Sequence, residues 1–250
     1  MRGAGVFLLA AGWACAAAAG APAVDERLAV DVTSEVSTGG LDYPSGVPVR
    51  ESMLGVRYRA DGWAARLELP WRRVAGLADV ATPPVPGSRA ADQGVGEARL
   101  KLVVPLREAA PGAIAADLVL RLQTGSGLAV GGVDMGAAGQ SMGVSLRRPA
   151  GDWNLFGYVG WRRAGTLPGT DPGRNAWQGE LGAWRMVGAR IEAGGYASWR
   201  QAVGGDAMLP EATLYTALAQ GDHRWQAYVR RAFTPGFPDL SAGVSYRASF

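Results

Sequence analysis

Ten charged residues sit where a polar path through an apolar sheet would need them: Arg57, Arg66, Glu68, Arg99, Lys101, Asp117, Arg121, Glu180, Arg190 and Glu192. They alternate with apolar or small neighbours, so cations and carboxylates gather on one face of extended segments while the other face stays greasy. Mixed-sign side chains of this kind form ion-pair ladders, and in a wet interior they narrow the lumen and contact small solutes. They do not make a catalytic centre. The chain holds one His, His223, and one Cys, Cys15. A disulfide within the chain and a site built on two histidines are therefore excluded. Hydrolysis through an imidazole would rest on His223 alone, which falls in the short connection Gln220–His223 and is expected to be solvated. Ser–Lys chemistry would need Lys101, the only lysine, which lies among carboxylates. Neither enzyme activity nor a cofactor or metal is expected.

The elements that must carry these residues are strands. Leu28, Val30 and Val32 alternate with Ala29, Asp31 and Thr33; Leu54, Val56 and Tyr58 alternate with Gly55, Arg57 and Arg59. Trp63, Ala65, Leu67, Leu69 and Trp71 oppose Ala64, Arg66, Glu68 and Arg72, and Leu100, Leu102 and Val104 oppose Arg99 and Lys101. The period of two continues to the end of the chain in twelve segments of about ten residues, with no helical period among them. Pro70 and Pro105 fall inside such segments and are expected at strand ends or bulges.

The connections alternate in length. Short ones lie at Asp61-Gly62, Arg107–Gly112, Pro149–Asp152, Val187–Ala189 and Gln220–His223, and longer ones, such as Val74–Val95 and Gln123–Gly139, fall between them. Asp-Gly favours a two-residue hairpin because both positions tolerate positive φ. Five short and six long connections in strict alternation describe an all-β, transmembrane antiparallel barrel of about twelve strands, with short periplasmic turns, longer extracellular loops and both ends in the periplasm.

The start of the chain reads as an address. Met1-Arg2 precedes an uncharged run from Gly3 to Ala23, which ends in the small-x-small triplet Ala21-Pro22-Ala23. This pattern predicts a cleavable signal peptide over residues 1–23 and a barrel over residues 24–250 in the bacterial outer membrane. Acylation of Cys15 is the competing reading, but Gly12 and Trp13 do not fit a lipid-attachment site. With 25 Lys+Arg against 22 Asp+Glu the net charge is +3, which gives no electrostatic case for nucleic acid as a partner.

The same alternation occurs in a water-soluble sandwich, so the large rings matter. Trp63, Trp71, Trp153, Trp161, Trp177, Trp199 and Trp225 fall on the apolar face near segment ends, where aromatic side chains form girdles against outer-membrane lipid; only Trp184 of the mature chain falls on the polar side. The last segment alternates through Leu240, Ala242, Val244, Tyr246 and Ala248 to Phe250. It resembles the C-terminal strand signal by which bacterial outer-membrane proteins are read by the barrel-insertion machinery, with Tyr246 and Phe250 as its aromatic positions.

Several segments also resemble the outer-membrane family named for the MetA-pathway of phenol degradation. They are Gly94-Val95-Gly96-Glu97, Leu122-Gln123-Thr124-Gly125, Gly131-Gly132-Val133-Asp134, Phe156 through Arg162, and Pro238-Asp239-Leu240 through Arg247. Glu97 stands where the family has Asp, Gln123 where it has Pro, and Ser126 where an Asp often follows. The resemblance implies a barrel that moves small, often aromatic, compounds. A passive channel for small solutes, hydrophobic or aromatic ones included, is therefore expected, with the ten charged residues lining its lumen. A structural or docking barrel is the alternative, and an outer-membrane hydrolase a weaker one.

Overall fold

The computed structural model describes residues 27–38, 49–74, 93–107, 113–124, 129–130, 133–134, 139–164, 175–201, 208–233 and 240–250. Residues 1–23, with Cys15, and the Pro83–Pro86 stretch lie outside the described residues.

Twelve long strands form one antiparallel ring: β1 (Leu28–Thr38), β2 (Val49–Ala60), β3 (Trp63–Val74), β5 (Arg99–Arg107), β6 (Ala115–Gln123), β9 (Gly139–Ala150), β10 (Trp153–Ala164), β11 (Asn175–Met186), β12 (Ile191–Gln201), β13 (Met208–Gln220), β14 (His223–Ala232) and β15 (Leu240–Ser249). Three short strands lie within long connections: β4 (Gln93–Val95), β7 (Ala129–Val130) and β8 (Val133–Asp134). Each long strand pairs with its neighbours in the ring, and β15 closes on β1 from Ala29↔Ser249 to Thr38↔Leu240. The seam extends one residue further, where the Phe250 amide donates to the Leu28 carbonyl at 2.8 Å. Closure pairs every strand on both sides, which removes the free edges that an open sheet would expose.

Turn chemistry sets one end of the ring. Gly62, Gly151 and Gly221 sit in two-residue hairpins at φ 82°, 61° and 58°, a left-handed conformation that a side chain resists.

The alternation runs inside out. Apolar residues such as Val32, Leu54, Leu181, Leu214 and Val244 are exposed on the outer surface. Their neighbours Asp31, Glu51, Arg66, Glu180 and Arg230 are buried within the ring. A water-soluble sandwich would bury the opposite set. Solvation gives the physical reason: an outer surface of Leu, Val and Trp is stable against hydrocarbon, and a closed ladder pairs backbone groups that hydrocarbon could not solvate.

The seven girdle tryptophans all belong to strand ends and point outward. Trp63, Trp153 and Trp225 ring the short-turn end, where Trp63 packs on Tyr58 at 5.6 Å and Trp225 on Tyr246 at 4.4 Å between ring centroids. Trp71, Trp161, Trp177 and Trp199 ring the other end, with Trp161 directly opposite Trp177. Trp63 and Trp71 stand eight residues apart on β3. At ~3.3 Å per residue and a ~40° tilt they are separated by ~20 Å in height, close to the ~25 Å apolar band of outer-membrane barrels.

Some expectations need correcting. The long connections Val74–Val95 and Gln123–Gly139 are not bare loops: β4 adds to β3 in the first, and β7 pairs with β8 in the second. Pro105 does lie at a bulge, where the β5–β6 register shifts. Pro70 also faces a one-residue register shift, between Glu68↔Arg99 and Trp71↔Val95. It occupies the gap where β3 changes partner from β5 to β4, with its carbonyl accepting from the Gly96 amide at 2.8 Å, so its missing N–H falls where the ladder is already interrupted. Trp184 points into the ring and is 5 % exposed, as its place on the polar face requires.

Candidate functional site

The candidate functional surface is the lumen, and strand register decides what meets there. Following hydrogen-bonded partners from strand to strand traces one row of inward positions. Arg57 opposes Arg66, Arg66 opposes Lys101, Lys101 opposes Arg121, Arg121 opposes Ser141, and Ser141 opposes Arg162. Because strands in a barrel tilt, a row perpendicular to them climbs the wall. This one rises from near the short-turn end of β2 to near the far end of β10, with five cations and no carboxylate.

A second inward row is acidic. Asp117, Ser145, Tyr158, Glu180, Ser198 and Glu211 oppose one another in turn across β6, β9, β10, β11, β12 and β13. Between the two rows run Val119, Gly143, Gly160 and Gln178. The two glycines make room: a Cβ at Gly143 or Gly160 would collide with the Tyr158 ring. Tyr158 accepts a hydrogen bond from Gln178 at 3.1 Å, and the Arg121 guanidinium lies 4.7 Å above its ring centroid.

Most of the charge is paired inside the ring. Arg66 bridges Asp31 and Glu68, the latter at 3.0 Å. Arg72 joins Glu51 and Glu97, and Arg99 reaches the other Glu97 oxygen at 3.5 Å. Arg147 holds Asp117 at 2.9 Å, Arg224 grips both oxygens of Glu192 at 3.0 and 3.1 Å, and Arg230 and Tyr228 share Glu35. A Cβ at Gly55 would strike the Asp31 carboxylate, so that glycine is what admits the Arg66–Asp31 pair.

A cavity of about 110 Å³ opens between these pairs on the long-loop side of the lumen. Glu68, Arg99, Lys101, Arg121 and Glu180 of the expected residues line it, together with Arg162, Arg200 and Glu211. Towards the short turns the lumen carries aromatic side chains. Phe156, Trp184 and Tyr215 form a buried layer, with Tyr196 and Tyr228 packed against it. Gly182 and Gly194 are spacers here: a Cβ on Gly182 would meet Phe156, and one on Gly194 would meet Trp184 and Tyr215.

Of the ten expected lumen residues, nine project into the ring. Arg190 does not. It falls in the Val187–Arg190 turn before β12 and is exposed, because the chain reverses one residue later than the alternation suggests. Arg66, Asp117 and Glu192 are buried in ion pairs away from the cavity, and Arg57 lies low on the cationic row. His223 is not a freely solvated turn residue: it opens β14 on the outer face, and its Nδ1 hydrogen-bonds the Tyr246 hydroxyl at 2.7 Å, within the lower girdle. Sequence reasoning missed Arg162, Arg200, Glu211 and the aromatic layer. Their inward parity was readable, but their meeting required the register.

A closed ring that is greasy outside, charged inside and banded by aromatics at both ends defines the chain as a transmembrane β-barrel. Solved structures with the same architecture are outer-membrane porins and channels. The NanC porin superposes with a TM-score of 0.59 over 88 % of this chain and 98 % of its own, at 10 % identity. An outer membrane channel from Pseudomonas putida F1 gives 0.59 over 89 % and 95 % at 12 % identity, and the KdgM porin 0.57 over 89 % and 99 % at 11 % identity. These likenesses establish the fold. The sequence matches no family model and no curated protein.

Proposed function

We propose that this protein is a passive channel of the bacterial outer membrane, carrying small solutes, hydrophobic and aromatic ones included, through its charge-lined lumen. The observation that carries the proposal is the cavity of about 110 Å³ bounded by charged side chains from β3 to β13, on opposite walls of the ring. A barrel that passes solutes needs polar groups to replace their hydration, and the wall of this cavity supplies them. The Tyr158 ring, stacked under Arg121, lines that space. The resemblance to the MetA-pathway family supports an aromatic solute, and the porins and channels that share the fold support passage.

The competing reading, a barrel without through-passage, draws on the Phe156–Trp184–Tyr215 layer. Purified full-length protein in planar bilayers and solute-swelling vesicles decides between them. Discrete conductance steps and solute-dependent swelling are expected. Silence in both assays would overturn the channel reading.

A further inference from the structure

We infer that the cavity on the long-loop side of the lumen is an anion site, taking a small organic carboxylate whose charged group docks on Arg162. The inference deepens the channel reading and rests on it, since it names the class of solute that the lumen accepts.

The walls of the cavity are unbalanced. Arg99, Lys101, Arg121, Arg162 and Arg200 line it against Glu68, Glu180 and Glu211. Five cations face three carboxylates on the wall itself, and of the five Arg99 also reaches Glu97 behind it at 3.5 Å. Two of the three carboxylates are already engaged: Glu68 bonds Arg66 at 3.0 Å and Glu211 bonds Arg200 at 3.3 Å. Glu180 stands within electrostatic reach of both Arg121 and Lys101. None of the three is paired with Arg162.

Arg162 is the centre of the imbalance. It is 5 % exposed, it lines the cavity, and among the described residues its Nε and Nη1 make no hydrogen bond. The charge it feels most is that of Arg200, another cation. Its row partners on either side are Ser141 and Ala176, neither of which carries charge. Burying a guanidinium among like charges is costly unless something anionic completes it. A carboxylate matches the planar fork of Arg with two parallel hydrogen bonds. The Tyr158 ring and Leu209, both at the cavity wall, supply apolar surface for the rest of the solute.

The test is a calorimetric titration of full-length protein in detergent micelles with benzoate, its uncharged counterpart benzamide, and the cation benzylamine. Benzoate is expected to bind saturably and at least about tenfold more tightly than benzamide, because hydrogen bonds to a charged acceptor are about twice as strong as neutral ones. Benzylamine is expected not to bind. Arg162→Met should weaken benzoate at least about tenfold and leave benzamide unchanged, and Arg162→Lys should fall between. Arg162→Met should also melt no lower than wild type, since it removes a buried charge that no carboxylate among the described residues pairs. Equal binding of benzoate and benzamide would overturn the site, and so would full benzoate affinity in Arg162→Met or failure of that variant to fold. The bilayer assay separates the two readings. Benzoate binding without conductance keeps the site and removes the channel; conductance without benzoate preference does the reverse.

Discussion

Leu214→Arg is the sharpest test of what surrounds this ring. Leu214 is the seventh of thirteen residues of β13 and is 72 % exposed on the outer face. At the centre of the strand it lies near the bilayer midplane, where an outward Arg costs ~2–4 kcal/mol. Leu218 lies on the same face four residues nearer the short turns. That is ~14 Å along the strand at ~3.4 Å per residue, or ~10 Å in depth at a ~40° tilt, close to the interface, where the same substitution costs ~0–1 kcal/mol. The difference between the two variants should therefore be ~2–3 kcal/mol, or about 30- to 150-fold in the folding equilibrium. Reversible denaturant unfolding in lipid vesicles, followed by tryptophan fluorescence, measures it. In a water-exposed sheet both changes would be nearly neutral, within ~0.5 kcal/mol. Equal costs at the two depths, or none at either, would refute the assignment of hydrocarbon as the outer solvent.

Trp184→Ala should open the aromatic layer. The ring is 5 % exposed, so its loss costs ~3–5 kcal/mol in denaturant unfolding, and bilayer conductance should rise about twofold or more if that layer limits passage. Glu97→Gln should destabilise by ~3 kcal/mol, because Glu97 is 0 % exposed and is shared by Arg72 and Arg99; adding Arg72→Met should cost less than the sum of the two single changes, as a double-mutant cycle will show. We further propose that Tyr246 and Phe250, the latter 70 % exposed, are read by the insertion machinery, so deleting Phe250 should lower the folded fraction in cell outer membranes several-fold while refolding from urea into detergent stays efficient.

Much of the architecture was legible because a strand's side chains alternate between its two faces except at a bulge such as Pro105. Leu54, Val56 and Tyr58 against Gly55, Arg57 and Arg59 fix which residues share a face, and the tryptophans at segment ends fix which face meets lipid. The short glycine turns and the count of alternating segments then give a closed, even-stranded ring. Arg190 shows the limit of this logic: parity places it inward, but it falls in the exposed turn before β12, with its carbonyl accepting from the Ala219 amide at 2.9 Å.

Parity does not set register. Sliding a strand by two residues keeps every side chain on its face yet replaces every partner across the ladder. The sequence alone therefore determined a barrel with charge inside, but not that Arg57, Arg66, Lys101, Arg121 and Arg162 fall in one row, nor that glycines stand beside Tyr158 and Trp184. Those juxtapositions join residues up to 105 positions apart along the chain. Only closure of the ring, which fixes the stagger of all twelve strands together, brings them to one wall and leaves Arg162 facing a cavity.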